Sequence, residues 1–179
     1  MSGEFQRYLR AKRTVDDRAL DRRLVERLGG FLSERADGGE LSVLEIGAGL
    51  GTMVTRWLDW DVFPASEIHY TAVDVRESNI DALREQIQSW ASDHPATVRC
   101  DGKTVVIAGA DRRVVVDPVA ADAVDYIRNG STEYDLLVGA ALLDIIDDVS
   151  LPTLLTALGT GGVYYFPLTF DGATRFRPS

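Results

Sequence analysis

The sequence predicts one three-layer α/β domain built on a mostly parallel sheet. Three observations carry this reading. Strand-like runs alternate with amphipathic helical runs along most of the chain, the first strand-like run ends in a glycine-rich turn, and the composition is that of a globular protein. Of 179 residues, 45% are hydrophobic and 26% charged, which supplies a packed core for one domain of ordinary size.

Thr14-Val15-Asp16-Asp17 has the hydroxyl-to-acid spacing of a helix start, and Leu20, Leu24, Leu28, Phe31 and Leu32 follow at helical intervals. A helix is therefore expected up to about Ala36, where Asp37-Gly38-Gly39 breaks it. That break divides the chain into an N-terminal helical segment, 1–36, and an α/β body, 37–179. Residues 41–46 read as a strand running into the glycine turn, 52–59 as a helix and 68–73 as a second strand. Residues 77–92 form an amphipathic helix with Ile80, Leu83, Ile87 and Trp90 on one face. Two β runs, 104–108 and 113–119, are joined by Gly109-Ala110-Asp111-Arg112 as a hairpin whose second arm is the third strand of the parallel set. Residues 122–128 form a short helix stopped by Asn129-Gly130. A strand over 134–138, a short helix over 151–158 and a last strand over 162–169 complete the series.

The charges exclude some partners. Lys and Arg number 19 and Asp and Glu 28, for a net charge of −9. Residues 1–35 hold nine basic and six acidic side chains (9 − 6 = +3), and the rest hold ten and twenty-two (10 − 22 = −12). An acidic body repels phosphate backbones, so no nucleic acid partner is expected. The cations are almost all Arg, with Lys12 and Lys103 the exceptions, a bias that fits either a salt-adapted or a GC-rich source. The longest mostly apolar stretch, 136–143, falls far short of the ~20 residues that cross a bilayer, so no membrane partner is expected. Met1 to Arg7 has no apolar signal region and Cys100 is the single cysteine, so a cytoplasmic location is expected.

The glycine turn reads Glu45-Ile46-Gly47-Ala48-Gly49-Leu50-Gly51-Thr52, or E-x-G-x-G-x-G. A dinucleotide fingerprint places its third glycine or alanine where this chain has Thr52, which disfavours a pyrophosphate ligand. Alternating glycines still allow a tight turn and leave bare backbone for a ligand to approach. Asp74, 23 residues beyond Gly51, closes the second strand, where a carboxylate can accept from both ribose hydroxyls of an adenosine. Together these features point to a cofactor that contains adenosine.

Residues 41–170 resemble the class I S-adenosylmethionine-dependent methyltransferase superfamily. Val43-Leu44-Glu45-Ile46-Gly47-Ala48-Gly49-Leu50-Gly51-Thr52 is similar to its first motif and Asp74 to its ribose-binding acid. Tyr134-Asp135-Leu136-Leu137-Val138 and Gly161-Gly162-Val163-Tyr164-Tyr165-Phe166 resemble its fourth and fifth strands. The resemblance implies a Rossmann-like three-layer sandwich of methyltransferase type and S-adenosylmethionine as cofactor. It further implies cofactor contacts from Glu45, Gly47, Ala48, Gly49 and Gly51, with the glycine backbone facing the methionine part, and from Asp74 at the ribose. Val75 would pack on the adenine, Asp122 and Ala123 would meet the adenine edge, and Gly139 and Ala140 would line the methyl-donor site. Asp122 has a second reading as a helix cap. Tyr8, Lys12 and Arg13 stand where related enzymes often hold the cofactor carboxylate; Arg13 either makes that contact or belongs to a solvated basic face.

His69 and His94 read as structural or solvent-exposed, and two histidines with one distant cysteine make no metal site. Methyl transfer from a sulfonium needs positioning more than a base, and the catalytic residues are unassigned; Asp144 is a candidate orienting acid or a surface acid. Leu142, Leu143, Ile145, Ile146 and Phe170 suit an apolar small-molecule acceptor or a core. The expected activity is methyl transfer to a small molecule, with the alternative of a cofactor-binding or protein-interaction module of little activity; a dehydrogenase is a third reading. The resemblance implies a sheet with two further strands beyond the fifth, which the chain as given is expected to lack. The fifth strand would then have an open edge, for which self-association or coverage by the tail from Gly172 to Ser179 is expected.

Overall fold

The computed structural model describes residues 20–36, 39–143 and 145–168. Helix α1 (Arg22–Arg35) begins at Asp21, whose carboxylate accepts from the Arg23 N–H at 2.9 Å. Leu20, expected inside the helix, precedes it, and the start expected at Thr14 lies outside the described residues. Val25, Leu28 and Leu32 form its buried face.

The elements that follow are β1 (Glu40–Ile46), α2 (Thr52–Asp59), β2 (Glu67–Asp74), α3 (Glu77–Ala91), β3 (Thr97–Asp101), β4 (Thr104–Ala108), β5 (Arg113–Ala120), α4 (Ala123–Asn129), β6 (Tyr134–Val138), α5 (Ser150–Leu155) and β7 (Leu158–Tyr165). The strands make one sheet in the order β3-β4-β5-β2-β1-β6-β7. β5, β2, β1, β6 and β7 run parallel, and β3 and β4 add an antiparallel hairpin beside β5. Pro118 is accommodated in β5 because the β4 pairing stops at Val105↔Val116, so its missing N–H breaks no ladder on that side.

Alternation along the strands supplies two cores. Val43, Ile68, Tyr70, Ala72, Val114 and Val116 face α1, α2 and α3, which contribute Leu32, Trp57 and Leu83. Leu44, Ile46, Val73 and Leu137 face α4 and α5, where Leu154 is buried. The three layers are thus helices, sheet and helices, as the sequence predicts. Arg35 ties α1 to β6 through Asp135 at 3.1 Å, and Ser42 donates to the same carboxylate through its N–H and its hydroxyl. Burial raises the Asp135 pKa, but these hydrogen bonds and the guanidinium outweigh it and hold the group below the usual carboxylate range.

Three elements differ from expectation. β3 was not expected; it pairs with β4 across a turn in which Gly102 takes a φ of +58°. The seven strands therefore arise by growth at the β5 edge, and among the described residues β6 alone pairs with β7. The last strand spans Leu158–Tyr165 rather than 162–169, and the helix before it ends at Leu155 rather than 158. Its register runs from Tyr134↔Leu158 to Leu136↔Val163, so five steps of β7 face two of β6, and Gly161 at φ +75° absorbs part of the excess.

Candidate functional site

The five parallel strands bring their carboxyl ends to one edge of the sheet, the position where such sheets hold ligands. The loop after β1 is drawn over the end of β2, because the Ala48 N–H donates to the Val73 carbonyl at 3.0 Å. Gly47, Gly49 and Gly51 all have positive φ, at +68°, +55° and +70°. They have different surroundings. A Cβ on Gly51 would come within 2.6 Å of Leu83 Cγ, so this glycine permits α2 and α3 to close together. A Cβ on Gly47 would meet nothing within 4 Å; its bare backbone borders open space.

Asp74 ends β2 and is 8% exposed. Its Oδ2 accepts from the Gly49 N–H at 2.8 Å, and its Oδ1 from the Arg76 N–H at 2.9 Å and from Asn79 Nδ2 at 3.1 Å. Val75, next along, is 72% exposed, an apolar side chain held out at the rim where adenine stacking was expected. The Asp74 carbonyl accepts from the Ala121 N–H at 3.0 Å, which fixes the end of β5 beside it. Asp122 caps α4: its Oδ1 accepts from the Val124 and Asp125 N–H groups at 2.9 and 3.1 Å. The cap reading of Asp122 thus describes one of its oxygens, and Ala123 is half-buried in the first turn.

Glu45 lies beneath the glycine loop, 2% exposed, and accepts from the Tyr70 hydroxyl at 2.7 Å. Burial pushes its pKa up to about 8, against the lowering effects of the Tyr70 hydrogen bond and the Arg56 charge; the Asp74 charge adds to the rise. Its carboxyl group therefore joins β1 to β2 through Tyr70, two residues before the glycine loop begins. On the far side, Gly139 and Ala140 follow β6, and the Gly139 N–H donates to the Tyr165 carbonyl at 3.1 Å. The Ala141 N–H donates to the Pro167 carbonyl at 2.9 Å, with Ala141 at φ +53°. Leu142 is buried, whereas Leu143, Ile145 and Val149 are exposed, Ile145 to 80%. Arg13, Tyr8, Lys12, Asp144 and Phe170 lie outside the described residues.

Sequence reasoning missed three participants. Asn79, Tyr70 and Arg56 are buried polar groups at the site's base. A polar Asn79 next to Ile80 on the core face of a helix, and Tyr70 two and four residues before Ala72 and Asp74 on one face of β2, were signals available in the sequence.

A cleft of about 480 Å3 between Trp90, His94, Ile107 and Arg112 opens at the opposite end of the sheet, beside the start of β5, away from the glycine loop. His94 there stacks on Trp90 with ring centroids 4.2 Å apart and lies 3.1 Å from Asp59. Among the described residues no three His, Cys, Asp or Glu side chains are grouped to hold a metal, and no helix is long and apolar enough to cross a membrane.

No family model matches the sequence, and no curated protein matches it. Solved structures do match its fold. A candidate caffeoyl-CoA O-methyltransferase from Staphylococcus aureus superposes with a TM-score of 0.50 at 15% identity, over 82% of this chain and 57% of its own. The chain has the fold of the S-adenosylmethionine-dependent methyltransferases. Two other methyltransferase-fold structures align with a TM-score of 0.47 and 16% identity. One is from Methanococcus maripaludis, over 78% of this chain and 55% of that one; the other is a plantazolicin methyltransferase solved with a triazolic desmethylPZN analog and SAH, over 82% and 46%. The chain spans about half the length of the methyltransferase-fold structures it matches.

Proposed function

We propose that the chain binds S-adenosylmethionine at the carboxyl ends of β1, β2 and β5 and belongs to a methyltransferase acting on a small apolar acceptor. One observation supports this most: the open space beside the Gly47 backbone, the Asp74 carboxylate and the exposed Val75 lie along two adjacent strand ends. In this reading the glycine loop takes the methionine part, Asp74 the ribose and Val75 the adenine face. The Ala123 N–H and the Asp122 oxygen not used for capping meet the adenine edge. Ala140 borders the methyl donor, Glu45 anchors the strand that leads into the loop through Tyr70, and Arg13 takes the cofactor carboxylate. The sulfonium supplies the activation for methyl transfer, so the chain's task is placement. Leu143, Ile145 and Val149, exposed in the segment that follows β6, suit an apolar acceptor. Calorimetric titration with S-adenosylhomocysteine and, separately, with NAD tests the reading. Saturable binding of the first is expected, and binding of NAD alone would overturn it.

A second reading, a cofactor-binding module that works by association, draws on β7. Residues 158–168 carry no charge, whereas the opposite edge strand β3 carries Arg99 and Asp101. In this reading a second copy of the chain pairs along β7.

A further inference from the structure

We propose that Asn79 restricts Asp74 to a single hydroxyl of the ribose, an inference that rests on the cofactor reading above. An ionised carboxylate offers about four lone-pair sites, two on each oxygen. Both sites of Asp74 Oδ1 are filled, by the Arg76 N–H and by Asn79 Nδ2, and one site of Oδ2 is filled by the Gly49 N–H. One acceptor site is left, on the oxygen that already holds the glycine loop. A grip on both vicinal hydroxyls by separate oxygens requires a free site on Oδ1. Of the two donors there, the Arg76 N–H belongs to the turn leading into α3, so the Asn79 amide alone can withdraw without moving backbone. Asn79 is 3% exposed and its amide is hydrogen-bonded to Asp74, with little access to competing water. It acts on the nucleoside through Asp74 and is therefore a positioning residue. The two ribose hydroxyls are consequently inequivalent: one donates to a charged oxygen and the other receives no acceptor from Asp74.

Calorimetric titration of the full chain with S-adenosylhomocysteine and with its 2′-deoxy and 3′-deoxy forms tests this. One deoxy form is expected to bind at least about ten-fold more weakly than the parent, the loss of one hydrogen bond to a charged group, and the other to stay within about three-fold. In Asn79→Leu, which keeps the volume and removes the donor, Oδ1 is freed and both deoxy forms lose about ten-fold or more. Comparable losses in the unaltered protein overturn the proposal, and so does one-sided discrimination that persists in a folded Asn79→Leu. If Asn79→Leu does not fold, Asn79→Ala carries the same expectation, and the unaltered protein still decides between one hydroxyl and two. Absence of S-adenosylhomocysteine binding retires the cofactor reading and this proposal with it, whereas binding with equal losses retires this proposal alone.

Discussion

The Asp74 carboxylate takes the Gly49 N–H across 25 residues of sequence at 2.8 Å, so the acid expected to meet the ribose also holds down the glycine loop. Removing it strips an acceptor from two backbone N–H groups and from Asn79. Asp74→Ala is therefore expected to weaken S-adenosylhomocysteine binding by about 1.5 to 3 kcal/mol, the value of one hydrogen bond to a charged group, and to lower the melting temperature. Titration and thermal unfolding check the two effects separately, and unchanged affinity would move the ribose elsewhere.

Two glycines of one loop should fail in different ways. Gly51→Ala drives a Cβ into Leu83 at a left-handed position and is expected to cost about 2 to 4 kcal/mol of stability, from backbone strain plus overpacking. Gly47→Ala meets no neighbour, so it should cost only the strain of about 1 to 2 kcal/mol while lowering cofactor affinity at least ten-fold. Urea titrations paired with calorimetry separate them. Equal affinity in folded Gly47→Ala would take the ligand away from that glycine.

Glu45 makes stability depend on pH. Its carboxyl group ionises near pH 4.5 when solvated and near 8 when folded, so between those values the native state holds a proton that the unfolded chain has released. Stability then falls as pH rises across that window, by about 1.4 kcal/mol per unit from this group. Glu45→Gln removes the dependence: relative to the unaltered protein it should gain stability between pH 5 and pH 8. Denaturant midpoints at the two pH values measure this, and a parallel shift of both proteins would show that Glu45 ionises in place.

Much of this architecture can be read from periodicity, and the exceptions have physical causes. Leu41 to Ile46 and Tyr134 to Val138 are mostly apolar because both faces of a parallel strand are covered, so they stand out in the sequence. Thr97–Asp101 does not stand out, because only Val98 of this edge strand is even half-buried. Gly159, Gly161 and Gly162 disguise the start of β7, whose first residues are held by pairing with Tyr134 rather than by propensity. At the site the glycines and Asp74 are legible from spacing alone. Asn79 is legible as a polar residue on the core face of a helix, but its bond to Asp74 is not, since that depends on α3 turning its first residues back towards the strand end.

The uncharged edge of β7 carries a further expectation. Leu24 and Phe31 of α1 are exposed beside Gly162 and Tyr165, around a groove of about 460 Å3. Light scattering of the full chain is expected to show a concentration-dependent dimer, and Val163→Lys to return it to monomer. A strict monomer at all concentrations would end the second functional reading.

The sheet's central strand also has a kinetic consequence. Val43 of β1 pairs with Tyr70 on one side and with Leu136 on the other, 27 and 93 residues away, while β3, β4 and β5 follow one another directly. Closing the longer loop costs more chain entropy, so the seam between β1 and β6 should zip last. The glycine loop and Asp74 stand on the early side of that seam, and Gly139 and Ala140 on the late side. A nucleoside ligand that touches both sides would therefore act as a latch: in pulsed hydrogen exchange the amides of β6 should gain protection after those of β4 and β5, and bound ligand should slow unfolding more than it speeds refolding.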